Sequence, residues 1–131
     1  MKNSNIYFVT VSLDYESRDN AFGPALLGVT EDSASMTRIM RDYTDNIYTL
    51  TNAQATFDNL EAVLSEATSN PDGFLIFHCS CHDMRSLYAD AICLYDRMMY
   101  DTEFWNIIKR GKCRKVMTMF ATCYSAGMSP T

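Results

Sequence analysis

The segment FLIFHCSCHDMRS, Phe74 to Ser86, decides how this chain is read. It follows Pro71-Asp72-Gly73, which is turn chemistry, and opens as a continuous apolar run of strand length. It then places His78, Cys79, Cys81 and His82 within five positions. On a strand, side chains alternate between faces, so His78, Ser80 and His82 point one way and Cys79 and Cys81 the other. Four ligands divided in this way do not converge on one ion. A structural zinc site also wants a second ligand pair at finger-like spacing, and Cys93 and Cys113 stand isolated. Cys79, Cys81, Cys93 and Cys113 are therefore expected to pack as small buried hydrophobes. His78 is expected to be a core or interface histidine with a hydrogen-bonded ring. His82, at the strand's end, is the one of the four candidate ligands expected to act.

The elements around this strand alternate. IYFVTVSL (Ile6–Leu13) is apolar, β-branched and aromatic, a buried strand. DYESRDNAFGPAL then reads as a loop. TEDSASMTRIMRDY reads as a helix capped by Thr30 or Asp32, with Met36, Ile39, Met40 and Tyr43 on its apolar face. NIYTLT (Asn46–Thr51) is a short strand. TFDNLEAVLSEATS is a second helix, capped by Thr56 and burying Phe57, Leu60, Val63 and Leu64. DAICLYDRMMY is a strand or a small hairpin. DTEFWNIIKRG is a third helix, with Asp101 or Thr102 as cap, Lys109 and Arg110 at the negative end of the dipole and Gly111 as the stop. KVMTMFATC (Lys115–Cys123) is the last strand. The order β-α-β-α-β-(β)-α-β implies an α/β domain over residues 1–131, with a mainly parallel sheet and helices on both faces.

Composition narrows the function classes. The chain has 131 residues, enough for one domain with one core. Apolar residues make up 47% and charged residues 21%, an ordinary globular balance. The formal charge is −5 with no basic cluster, which argues against nucleic acid and anionic membrane as partners. No apolar run approaches the ~18 residues of a membrane span, and MKNSNIYFVTVS is too polar for a signal peptide. Five scattered cysteines fit reduced thiols in a cytoplasm.

In sheets of this kind ligand sites gather beyond the carboxyl ends of the strands. Two strands end in reactive groups, one at His82 and the other at Cys123. A thiol attacks a carbonyl as thiolate, and a neighbouring imidazole can take its proton. Nearby backbone N–H groups can then hold the oxyanion. That constellation suffices for acyl transfer.

At these residues the chain resembles the caspase-like cysteine peptidases, metacaspases above all. FHCSCHD (Phe77–Asp83) falls where the family has S-G-H-G, with Ser80 and His82 matching. ATCYSAG (Ala121–Gly127) falls at D-S/A-C-H-S-G, with Cys123 and Ser125 matching. LLGVTEDSASM, LTNAQATFDNLEAVL and DAICLYDRMMYDTEF are similar, in order, to three further stretches of the family. The resemblance implies a caspase-haemoglobinase-like fold and a cysteine endopeptidase. Cys123 would be the nucleophile, His82 the base and acid, and the N–H groups of Asp83 and Cys123 the oxyanion hole. Asp32 and Ala121 fall at substrate-binding positions, and the substrate would be a protein or peptide cut after basic residues, with self-processing around Lys109–Lys115.

The departures are specific. Cys81 and Asp83 replace glycines on either side of the histidine, Ala121 replaces an acidic residue of the substrate pocket, and Tyr124 replaces a histidine. The family's small-subunit strands have no counterpart, which implies a separate small-subunit fragment or a homodimer. No cofactor is needed for the chemistry. Calcium enters only through the resemblance, with Asp96 and Asp101, together with Asp90 and Glu103, nearest to the family's acidic cluster. Two alternatives stand beside the peptidase: a catalytically silent caspase-like module that binds or regulates a partner peptidase, and an unrelated α/β binding domain.

Overall fold

A computed structural model describes residues 2–16, 25–85 and 90–124. The strands are β1 (Ile6–Ser12), β2 (Asn46–Thr51), β3 (Phe74–Arg85), β4 (Asp90–Cys93), β5 (Met98–Tyr100) and β6 (Lys115–Tyr124). The helices are α1 (Val29–Met40), α2 (Phe57–Ala67) and α3 (Asp101–Arg110). Together they form the expected α/β architecture. The sheet is mixed: β2, β1, β3 and β6 run parallel, and the DAICLYDRMMY segment is a hairpin, β4–β5, that joins antiparallel.

β3 organises the sheet. Its residues Phe74–Ser80 pair with β1, and its last residues Asp83–Arg85 pair with β4. β6 lies along its other edge from Phe74 to Asp83. One long strand therefore holds three neighbours, and β1 gives way to β4 between Ser80 and Asp83.

The two faces of the sheet differ in chemistry. Leu75, Phe77, Cys79 and Cys81 join Val9, Val11, Leu60, Leu64, Phe104, Ile107 and Ile108 in the apolar core under α2 and α3. The other face carries Thr10, Ser12, His78, Ser80 and His82, all buried. α1 covers it with Val29, Ser33, Thr37 and Met40. The expected apolar stripe of α1 is thus rotated: Ile39 and Tyr43 are 55% and 52% exposed. A polar strand face is met by small hydroxyl side chains of the helix, which apolar periodicity does not detect. The cap of α1 also differs. Gly28, at φ +80, takes the N-cap position, so Thr30 and Asp32 fall in the first turn. For α2, Thr56 caps as expected, accepting the Asn59 N–H at 3.2 Å.

α3 begins at Asp101, and its N-cap is Tyr100 in place of the expected Asp101 or Thr102, with Glu103 accepting the Tyr100 N–H at 3.1 Å. Gly111 ends it in extended backbone, not in a left-handed turn. The reason for glycine there is close approach, since a Cβ would run into the side chain of Thr68. The Thr68 carbonyl accepts the N–H groups of Lys112 and Cys113 at 2.7 and 3.0 Å, tying the end of α2 to the segment that feeds β6. Gly111→Ala is therefore expected to cost about 1–3 kcal/mol by overpacking, read as a lower denaturation midpoint at unchanged slope.

Candidate functional site

The carboxyl ends of β3 and β6 lie side by side. Their parallel register sets His82 directly opposite Cys123, Ser80 opposite Ala121 and Asp83 opposite Tyr124. The expected pair is thus brought together at the level of the backbone. The side chain of Cys123, together with Ser125 and Gly127 of the same motif, lies outside the described residues.

His82 is 1% exposed. Tyr15 lies against it, ring centroids 4.6 Å apart and planes inclined by 31°. The Tyr15 hydroxyl accepts the His82 backbone N–H at 2.9 Å and donates to the Cys93 carbonyl at 2.7 Å. It stands where β1 has left β3 and β4 has yet to begin, and it supplies the hydrogen bonds that a strand would have made. Burial and the Cys81 thiol hold its phenol far above its usual titration range, so it remains a neutral donor. Its backbone is left-handed, at φ 63, a conformation that costs about 1–3 kcal/mol in a bulky residue and is offset by the contacts it secures. Nothing in the loop sequence DYESRDN marks Tyr15 as a residue that reaches between strands.

His78 has the structural role expected of it. Its Nδ1 shares a 2.9 Å hydrogen bond with Thr10 Oγ1, which in turn shares one of 2.7 Å with Ser33 Oγ. Its Nε2 lies 3.4 Å from Ser80 Oγ. Burial pushes its pKa below the usual value, partly opposed by the Asp32 carboxylate. Asp32 itself is exposed on the first turn of α1. The Ser12 hydroxyl, fully buried beside Ser80 in register, finds no hydrogen-bond partner among the described residues. The polar seam of Thr10, Ser12 and Ser33 also escaped sequence reading, although Thr10 and Ser12 recur at every second position of an otherwise apolar strand.

The cysteines fall on the opposite face, as alternation required. Cys79 and Cys81 are fully buried with their Sγ atoms 3.3 Å apart. The hydrogen bond to Cys79, and then burial, push the Cys81 thiol well above its usual range. Burial raises Cys93 to about 12 and also raises Cys113. Such thiols stay protonated and are poor nucleophiles.

Asp83 is 8% exposed and lies on the α3 face. With Asp90, Asp101, Phe104, Trp105 and Phe120 it lines a cavity of about 320 Å³. Its backbone is in register with Ile92 on one side and Tyr124 on the other. Asp96 Oδ1 accepts the Phe57 N–H at 3.0 Å, and Asp101 Oδ1 accepts the Thr102 N–H at 2.7 Å. Calcium needs six or more oxygens, several of them convergent carboxylates, and Asp96 and Asp101 do not make up such a shell. Among the described residues no group of three or more His, Cys, Asp or Glu side chains is placed to hold a metal. Nor is any described helix long and apolar enough to cross a membrane.

Two stability effects follow from these contacts. Tyr15→Phe keeps the ring but leaves the His82 N–H and the Cys93 carbonyl without their partner, and should cost about 1–3 kcal/mol, measured by denaturant unfolding. His78 has a folded pKa below its unfolded value of about 6.5, so the unfolded state binds more protons in that interval. Stability should then fall as pH drops below about 6.5 and level off below the folded pKa. His78→Gln should flatten this slope in unfolding curves taken from neutral to mildly acidic pH.

No family model and no curated protein matches the chain. Among solved structures it is similar to a crystal structure of a Geobacter sulfurreducens protein, a structural-genomics target, with a TM-score of 0.67 and 18% identity. The match covers 91% of this chain and 50% of the other, so the chain spans about half the length of that neighbour. At this identity the likeness is one of fold alone.

Proposed function

We propose that the chain is a cysteine endopeptidase of caspase-like fold, working through Cys123 and His82. The observation that carries this reading is the register of β3 and β6, which opposes the two residues at the carboxyl ends of adjacent parallel strands. Paired positions on neighbouring strands share a face and lie about 5 Å apart, so an imidazole and a thiol can meet there. His82 takes the thiol proton, and the thiolate adds to the scissile carbonyl. His82 then returns the proton to the leaving amine, and water hydrolyses the thioester.

The N–H groups of Asp83 and Cys123 are assigned to the oxyanion. Because Asp83 is paired on both sides, the end of the β3 ladder has to part for its N–H to serve. Asp32 on α1 and Ala121 on β6 border the substrate side. A protein or peptide cut after a basic residue, with self-cleavage around Lys109–Lys115, is the substrate class of this reading. No step runs through a metal. A reducing compartment such as the cytoplasm suits it, since Cys79, Cys81, Cys93 and Cys113 are free thiols.

A second reading has its own support. His82 lies almost fully buried beneath Tyr15, and a catalytically silent module that regulates a partner peptidase needs no accessible base. The pH dependence of alkylation at Cys123, followed by mass spectrometry in wild type and His82→Ala, separates the two. The dyad predicts reaction well below the free-thiol pKa of about 8.5, with the profile moving back toward that value in His82→Ala. An ordinary profile unchanged by the substitution would sink the peptidase reading and leave the silent module.

A further inference from the structure

His82 is flanked on both edges of β3. On one edge its register partner is Cys123 of β6. On the other, β1 pairs only as far as Ser80 and β4 only from Asp83. The Ser80 carbonyl turns to the β1 edge, where it accepts the Leu13 N–H at 3.0 Å. Backbone groups two residues apart on a strand point to the same edge, so the His82 N–H turns there too, and the Tyr15 hydroxyl accepts it at 2.9 Å. The same hydroxyl donates to the Cys93 carbonyl at 2.7 Å, and Tyr15 is 5% exposed. Burial and bonds on both sides of the hydroxyl fix the ring. It lies 4.6 Å from the imidazole, centroid to centroid. Asp83, the carboxylate next in sequence, lies on the opposite face of the sheet and is not placed to orient the His82 ring.

We propose that Tyr15 is the positioning residue of the candidate dyad: its fixed ring packs on one side of the His82 imidazole and turns it toward Cys123. The base of such a pair is itself oriented by a third group, which in the serine-protease triad is a carboxylate bonded to the ring. Here an aromatic ring does it by packing. The role rests on the peptidase reading, and contact with the thiol is left to His82. It also gives a use to the left-handed backbone of Tyr15, at φ 63, since such strain persists only where the surroundings hold a residue in place. The hydroxyl serves the fold and the ring serves the base.

Alkylation of Cys123 against pH, read by mass spectrometry on the full chain, tests this in wild type, Tyr15→Phe, Tyr15→Leu, Tyr15→Met and His82→Ala. All the Tyr15 variants lose the same two hydrogen bonds, and only Tyr15→Phe keeps the ring. A role confined to the fold moves them alike. Positioning predicts that Tyr15→Phe keeps the wild-type profile. Tyr15→Leu and Tyr15→Met should slow the reaction at mildly acidic pH by about tenfold or more, toward His82→Ala, as the thiol returns to a free-thiol pKa of about 8.5. Burial holds the Tyr15 phenol above its usual titration range, so the profile does not report Tyr15 itself. The same spectra check the fold, because Cys79, Cys81 and Cys93 are fully buried and stay unlabelled only in a folded chain. Tyr15→Leu and Tyr15→Met profiles that follow wild type overturn the positioning role. So does a shift in Tyr15→Phe as large as theirs, or labelling of the buried thiols in both aliphatic variants, which makes the role structural. In each of these cases the dyad itself stands if wild type and His82→Ala differ. A wild-type profile equal to that of His82→Ala is the separate failure: it removes the dyad, and the positioning role with it.

Discussion

The structure depends on one strand serving three neighbours. β3 pairs with β1 over its first part, with β4 over its last and with β6 along its other edge. A strand whose partner changes midway has a gap where backbone groups lack a ladder, and buried backbone groups are rarely left unpaired. Here Tyr15 closes that gap, taking the His82 N–H and giving its own proton to the Cys93 carbonyl. One phenol thereby fixes the hairpin to the central strand and lies over the histidine of the candidate dyad.

The second constraint is the unlike chemistry of the sheet's faces. The face under α2 and α3 is an apolar core that includes three buried cysteines. The face under α1 is a seam of hydroxyls and imidazoles, with the Ser33–Thr10–His78 hydrogen bonds at its centre. Buried polar groups favour partners that satisfy them, which accounts for Ser33 on the inner side of α1, where periodicity suggests Ile39 and Tyr43. The same division separates the histidines from the cysteines of a segment that, read as a string, looks like a metal site.

Much of this was legible in the residues. Alternation from His78 to His82 separated the two faces correctly, and the order of apolar runs with their turn residues located the three described α-helices and the strands, with β4 and β5 read as one strand or hairpin and the 3-10 turn Asn52–Gln54 missed. Thr56 was readable as a cap because a β-region hydroxyl before a periodic run has one common use. Gly28 and Tyr100 were not, since neither makes a side-chain cap hydrogen bond. Gly111 was recognised as a stop for the wrong reason: the contact that demands glycine is with Thr68, the C-cap of α2.

By itself, then, the sequence determined the class of fold, the face on which each residue from His78 to His82 lies, and the two strand ends that carry reactive groups, because these follow from local periodicity and side-chain chemistry. The tertiary structure alone decided that His82 and Cys123 are register partners, that Tyr15 bridges β3 and β4, and that Ser33 of α1 joins the Thr10–His78 hydrogen bond. Each of these joins residues far apart in the chain, and pairing across such separations is set by how the elements pack and not by the local pattern of either partner.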